Sequence, residues 1–167
     1  WISNPTAMQV LELAGSTYLI VASAGSSSLT TLLVKPNGSL KITDHLLDDL
    51  DLRLAGINTL EALVHNDQPY LVAGGTDDGV TVVQLLPGGR LQPRTVFADT
   101  TDTAVANPAA IETLSRSGGF SIFVSSSYEI GVSELFFDTS NAGEVMTGSD
   151  NSDYLIGADQ DDMIVDS

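Results

Sequence analysis

A repeat of about 51 residues constrains this chain more than any other feature. Ile2-Ser3-Asn4-Pro5-Thr6-Ala7-Met8 matches Val105-Ala106-Asn107-Pro108-Ala109-Ala110-Ile111 at an offset of 103. The match runs without a gap through Tyr18-Leu19-Ile20-Val21 against Ser121-Ile122-Phe123-Val124, and on to Leu32-Leu33 against Leu135-Phe136. A copy lies halfway, where Leu60-Glu61-Ala62-Leu63 and Tyr70-Leu71-Val72-Ala73 fit at offsets of 52 and 51. Residues 40–59 map onto 91–110, carrying Asp48 onto Asp99 and Asp51 onto Asp102.

Each copy reads as four short strands. In the first they are Met8–Leu13, Thr17–Ala24, Ser28–Val34 and Ser39–Leu47, punctuated by Gly15-Ser16, Gly25-Ser26 and Pro36-Asn37-Gly38. Pro87-Gly88-Gly89 repeats the last of these turns. The second strand of each copy is apolar on both faces, as expected of an inner strand between layers. The third alternates, as in Val80-Thr81-Val82-Val83-Gln84-Leu85, which predicts a half-buried strand. Leucines in 44–54 lack a clean helical period. Four antiparallel strands recurring at this spacing predict propeller blades, each sheet covered by the next; a β-sandwich of hairpins is the rival. The fold class expected is therefore all-β, with about three four-stranded blades of an incomplete propeller; the start of a parallel β-roll after them is implied only by a resemblance at the end of the chain. Three blades are too few to close a ring, and the third copy lacks its fourth strand because Phe137-Asp138 runs into Thr139-Ser140-Asn141-Ala142-Gly143. Residues 1–140 are assigned to blades, 141–147 to a linker and 148–167 to a separate closing array.

The charge balance narrows the partners. Twenty-two acidic against 6 basic residues give a net charge of −16. Nucleic acid and anionic membrane surfaces need clustered Lys and Arg, so neither is an expected partner. An acidic chain suits hard cations held through oxygen. Cysteine is absent, which rules out disulfides, a thiol nucleophile and cysteine-based metal sites. No run reaches the about 18 apolar residues of a membrane span, and no secretory leader is legible at the start. Trp1 in place of Met suggests a processed product or a fragment.

The repeats also resemble the lactonase-like propeller repeats of alphaproteobacterial secreted proteins. The residues that carry this are Tyr70-Leu71-Val72-Ala73, Asp77-Asp78-Gly79-Val80 and Gly38-Ser39-Leu40. The resemblance covers residues 2–138 and is structural in kind.

A second resemblance lies at the end of the chain. Gly148-Ser149-Asp150-Asn151-Ser152-Asp153-Tyr154-Leu155-Ile156 is followed in a nine-residue register by Gly157-Ala158-Asp159-Gln160-Asp161-Asp162-Met163-Ile164-Val165. Both sixth positions are aspartate (Asp153, Asp162) and both eighth positions are aliphatic (Leu155, Ile164). The pattern resembles the hemolysin-type (RTX) calcium-binding repeat, which winds a parallel β-roll. That resemblance implies Ca2+ bound by Asp153 and Asp162, with Gly148, Asp150, Asn151, Gly157 and Asp159 in the turns around it. Calcium accepts such mixed carbonyl and carboxylate shells. Ser149, Ala158 and Gln160 replace glycines of the pattern. By the same resemblance each ion sits between turns about eighteen residues apart. Asp153 then needs a turn beginning at Asp166, and half-sites are expected.

Enzymatic motifs are missing from the text. His45 and His65, the only histidines, form no H-E-x-x-H pair, and there is no G-x-S-x-G elbow or lysine-bearing phosphate loop. His65 falls at a strand end with a surface or turn role, and His45 on a strand. Asp48/Asp99 and Asp51/Asp102 fit either a ring of carboxylates or turn caps, and their recurrence favours caps. Asp77-Asp78-Gly79 reads as a hairpin turn, and Tyr18 and Tyr70 as core. Three functions stay open. The first is a non-catalytic calcium-binding protein, secreted or on the cell surface by the type I route that RTX repeats imply. The second is a fragment of a lactonase-like or phosphatase-like hydrolase with its active site in other blades. The third is an assembly subunit that docks another chain, or a copy of itself, through open blade edges.

Overall fold

The computed structural model describes residues 2–141, 145–147 and 163–165. It contains three antiparallel sheets in chain order. The first holds β1 (Pro5–Leu13), β2 (Ser16–Ser23), β3 (Ser28–Val34) and β4 (Leu40–Leu47). The second holds β5 (Thr59–His65), β6 (Gln68–Gly74), β7 (Gly79–Leu86) and β8 (Arg90–Ala98). The third has only β9 (Pro108–Arg116), β10 (Gly119–Ser126) and β11 (Val132–Asp138). Each is a simple meander, so every strand pairs with its sequence neighbour. A 3₁₀ turn at Thr139–Asn141 follows where a fourth strand would begin. A short parallel pair, β12 (Val145–Thr147) with β13 (Met163–Val165), completes the described chain; β12 falls in the segment read as linker.

The tight hairpins follow from their turn residues. Ala14-Gly15 and Asn66-Asp67 connect their strands with both φ angles positive, the twist that matches paired strands. A β-bulge recurs at one register: Thr31 pairs with Asp44 but Leu32 with Ile42, and Val82 pairs with Thr95 but Val83 with Pro93. Thr43 and Arg94 are the extra residues, both on outer strands where Pro93 removes no central ladder bond.

Alternate residues of each strand serve alternate faces, and both faces of the second sheet are covered. Towards the first sheet it presents Leu60, Leu71, Ala73, Val83, Leu85 and Leu91, which meet Leu11, Tyr18, Ile20, Ala22 and Leu29. Towards the third it presents Tyr70, Val72, Val80 and Val82, which meet Ile111, Phe120, Ile122, Val124 and Phe137. The first strands lie side by side, β1 on β5 and β5 on β9, while β4 meets β8. Ser28–Val34 and the inner position of the second strands agree with the sequence reading, and Tyr18 and Tyr70 are core. The third strand of the second copy differs from its prediction. It is buried on both faces rather than one, because Val80 and Val82 face the third sheet while Val83 and Leu85 face the first. His65 also departs from a surface role. It is buried at the end of β5, its ring 6.1 Å from that of Phe120.

Phe120 anchors the second contact, with ring centroids 5.3 Å from Tyr70 and 5.1 Å from Phe137. Phe120→Ala should cost about 3–5 kcal/mol. Urea unfolding would register this as a lower midpoint at unchanged slope.

Candidate functional site at the loop end and the inner strands

The connections between sheets, residues 48–58 and 99–107, must cross the ends of strands with their backbone N–H groups partly buried, and each such donor needs an acceptor. Both connections solve this identically. Asp48 Oδ1 accepts from Leu54 N at 2.9 Å, and Asp99 Oδ1 accepts from Val105 N at 3.2 Å. Thr81 Oγ1 accepts from Arg53 N at 2.9 Å, and Ser133 Oγ accepts from Ala104 N at 2.7 Å. Ser27 Oγ and Asp78 Oδ1 take the donors of Gly56 and Asn107. The recurring Asp48 and Asp99 are therefore turn caps, holding Leu54 and Val105 into the two cores. Asp51 and Asp102 are exposed, and the neighbouring Asp49 and Thr100 side chains accept from their backbone N–H groups instead. Thr30, at the register of Thr81 and Ser133, bonds to His45 Nδ1 at 2.8 Å.

Beside the caps lie two hollows at equivalent places. The first, about 470 Å³, is lined by Asp48, Asp49, Leu50, Arg53 and Asp77 among others. Arg53 Nη1 lies 3.2 Å from Asp77 Oδ1, so a guanidinium neutralises that carboxylate. In the second hollow Ala104 stands for Arg53, and Glu129 Oε2 accepts from Ala106 N at 3.0 Å. Asp48, Asp49, Asp77 and Glu129 are thus engaged by the loops themselves, while Asp102 lines the second hollow. Among the described residues no group of three His, Asp or Glu side chains is placed to hold a metal. What breaks the repeat here is apolar: Tyr128 and Ile130 protrude from the turn between β10 and β11.

A polar column runs along the first strand of each antiparallel sheet. Gln9, Glu61 and Glu112 occupy one register on β1, β5 and β9, opposite Ile20, Val72 and Phe123. Gln9 Nε2 donates to Leu60 O at 3.0 Å and lies 3.4 Å from Glu61 Oε2. Burial pushes the Glu61 carboxyl above its ordinary pKa, the Glu112 charge adds to this, and the Ala62 N–H opposes both. This column was not singled out in the sequence. Offsets of 52 and 51 do bring Gln9, Glu61 and Glu112 into line, and that is the signal that finds it.

The residues expected to hold calcium, Asp153, Asp162, Gly148, Asp150, Asn151, Gly157 and Asp159, lie outside the described residues. No protein-family model matches the chain, and no curated protein matches it.

Asp48→Ala should cost about 1–2 kcal/mol by leaving Leu54 N without an acceptor, measured by urea unfolding. Glu61 supplies a pH test. Its folded pKa exceeds the unfolded one, so the folded state binds more protons and stability falls as pH rises through that window. Glu61→Gln should therefore raise the thermal midpoint at pH 7. The gain should vanish below the ordinary carboxylate range.

Proposed function

We propose that this chain is a calcium-binding part of a secreted or cell-surface protein, in which propeller-type sheets carry a hemolysin-type nonapeptide roll. The observation that carries the calcium reading is a shared register. Val145, Met146 and Thr147 pair in parallel with Met163, Ile164 and Val165, eighteen residues on. That spacing is two nonapeptides, the length of one coil of a parallel roll. The pairing aligns Met146 with Ile164, and Met146 stands nine residues before Leu155, so the apolar position of the pattern extends one repeat upstream. Glu144 and Asp162, both sixth positions, immediately precede the paired strands in sequence. The net charge of −16 is compatible with a cation-dependent partner.

The scaffold reading has its own support. A sandwich has two layers, whereas here the second sheet is covered on both faces by sheets of the same repeat. The role we assign to the sheets is a recognition scaffold, since the recurring Asp48 and Asp99 are occupied as caps.

Isothermal titration with calcium, followed by EDTA, tests the reading. With about one coil present, binding should be weak, in the range of about 10⁻⁴–10⁻³ M typical of extracellular calcium modules. Asp162→Ala should remove most of the heat. A silent titration up to about 10 mM, well above that range, would sink the calcium assignment. Micromolar stoichiometric binding would instead show that the sites are complete.

A further inference from the structure

The second loop-end hollow is the first one with a side chain taken out. The two connections correspond at an offset of 51: Arg53 N donates to Thr81 Oγ1 as Ala104 N does to Ser133 Oγ, and Leu54 and Val105 enter the two cores. Counted back from β7 and β11 at their offset of 52, Asp77 corresponds to Glu129 and Gly79 to Gly131. The pair formed by Arg53 and Asp77 therefore has Ala104 and Glu129 as its counterparts.

In the first hollow the arginine fills this place. Its Nη1 lies 3.2 Å from Asp77 Oδ1 and 3.4 Å from Asp77 O. Its stem passes over Gly79, where a Cβ would stand 3.3 Å from Arg53 Cγ. A Cβ on Gly131 would meet nothing within 4 Å. The lining changes accordingly. The first hollow is walled by Arg53, whereas the second runs on to Gly131, Val132 and Ser133 at the start of β11. Glu129 Oε2 accepts from Ala106 N, and among the described residues nothing bonds to Oε1. Asp102 lines this hollow too, and no described basic residue does. The second copy thus keeps the acid and the space, without the cation that joins them in the first. Sheets beyond the third are not needed to complete it. The first hollow is walled by its own connection and Asp77, with no residue of the next sheet.

We infer that the second hollow binds an alkylguanidinium group, from the arginine side chain of a partner or a free arginine derivative, in the place that Arg53 holds in the first. A guanidinium presents several donors in a planar fork. Arg53 uses its own on both the carboxylate and the carbonyl of Asp77, and Glu129 offers the same two acceptors. The methylene stem of the ligand then lies over Gly131 beside Ile130. This inference deepens the recognition role proposed for the sheets by naming a ligand chemistry, and it is independent of the calcium reading.

Amide shifts of the whole isotope-labelled chain, titrated with N-acetyl-arginine amide in EDTA, test it. Saturable shifts are expected at Ala104, Glu129 and Gly131, and added salt should weaken the binding. The citrulline analogue, a neutral near-isostere, should bind about tenfold or more weakly. Glu129→Gln retains an acceptor for Ala106 N and should lose about tenfold in affinity. Ala104→Arg should abolish the shifts by supplying the group from within. Arg53→Ala should do the reverse and add a second set of shifts at Asp77 and Gly79. Circular dichroism checks that each variant is folded, and Glu129→Gln and Arg53→Ala carry the test if Ala104→Arg is not. A blocked glycine peptide with one central arginine that binds more tightly than the amide points to a partner chain; equal binding points to the free compound. No saturable shift in the wild type, equal binding of the citrulline analogue, or undiminished binding by folded Ala104→Arg would overturn the inference. A silent calcium titration would leave it untouched.

Discussion

The structure depends on apolar sheet-to-sheet burial that no single sheet can achieve. A three- or four-stranded meander of this size has two faces and little core of its own. The second sheet solves this by burying Leu71 and Val83 one way and Val72 and Val82 the other. Everything else in the chain is arranged so that this contact can be made twice at one register. The polar groups that cross it are directional: Thr6 Oγ1 donates to Ile57 O at 2.7 Å, and Leu91 N donates to Asp44 Oδ2 at 2.6 Å. They align the sheets, while the aliphatic rows supply the driving force.

Stacking sheets in sequence requires chain to pass from the last strand of one to the first strand of the next. That passage buries backbone donors beside apolar anchors such as Leu54, Ile57 and Val105. The aspartates at positions 48 and 99 answer this need, so their recurrence is mechanical. An acidic residue repeated in every copy is often read as a binding ring. Here its carboxylate is already engaged by a leucine or valine amide six residues on.

The repeat and, among the described residues, the third sheet's lack of a fourth strand were legible because turn residues and apolar runs recur at fixed offsets, whereas β1 begins at Pro5, three residues before the expected Met8. Ser28–Val34 was recovered whole, and β4 to within a residue. The burial of β7 was not, since alternation in one strand cannot reveal that a sheet is covered on both sides. His65 was misplaced for a related reason: a polar residue at a strand end reads as surface until Phe120, from a sheet more than fifty residues on, packs over it. The polar column of Gln9, Glu61 and Glu112 was hidden by its chemistry, because three residues of two types look unrelated until the register aligns them. The parallel pairing of β12 with β13 was not foreseen, because residues 141–147 had the look of a linker in sequence.

The turns between second and third strands hold one last consequence. From the first sheet to the second the register offset drops from 52 in β2 to 51 in β3, and from the second to the third it rises again from 51 to 52. Every gain or loss of a residue within the sheets thus falls in one kind of turn, at one end of the stack. The opposite hairpins and the bulges at Leu32 and Val83 keep time unchanged. One end of the molecule is a ruler, and the other is where length can drift. A surface that diversifies in this fold has its raw material at the turns bearing Asp77 and Tyr128, where insertion leaves the stacking rows untouched.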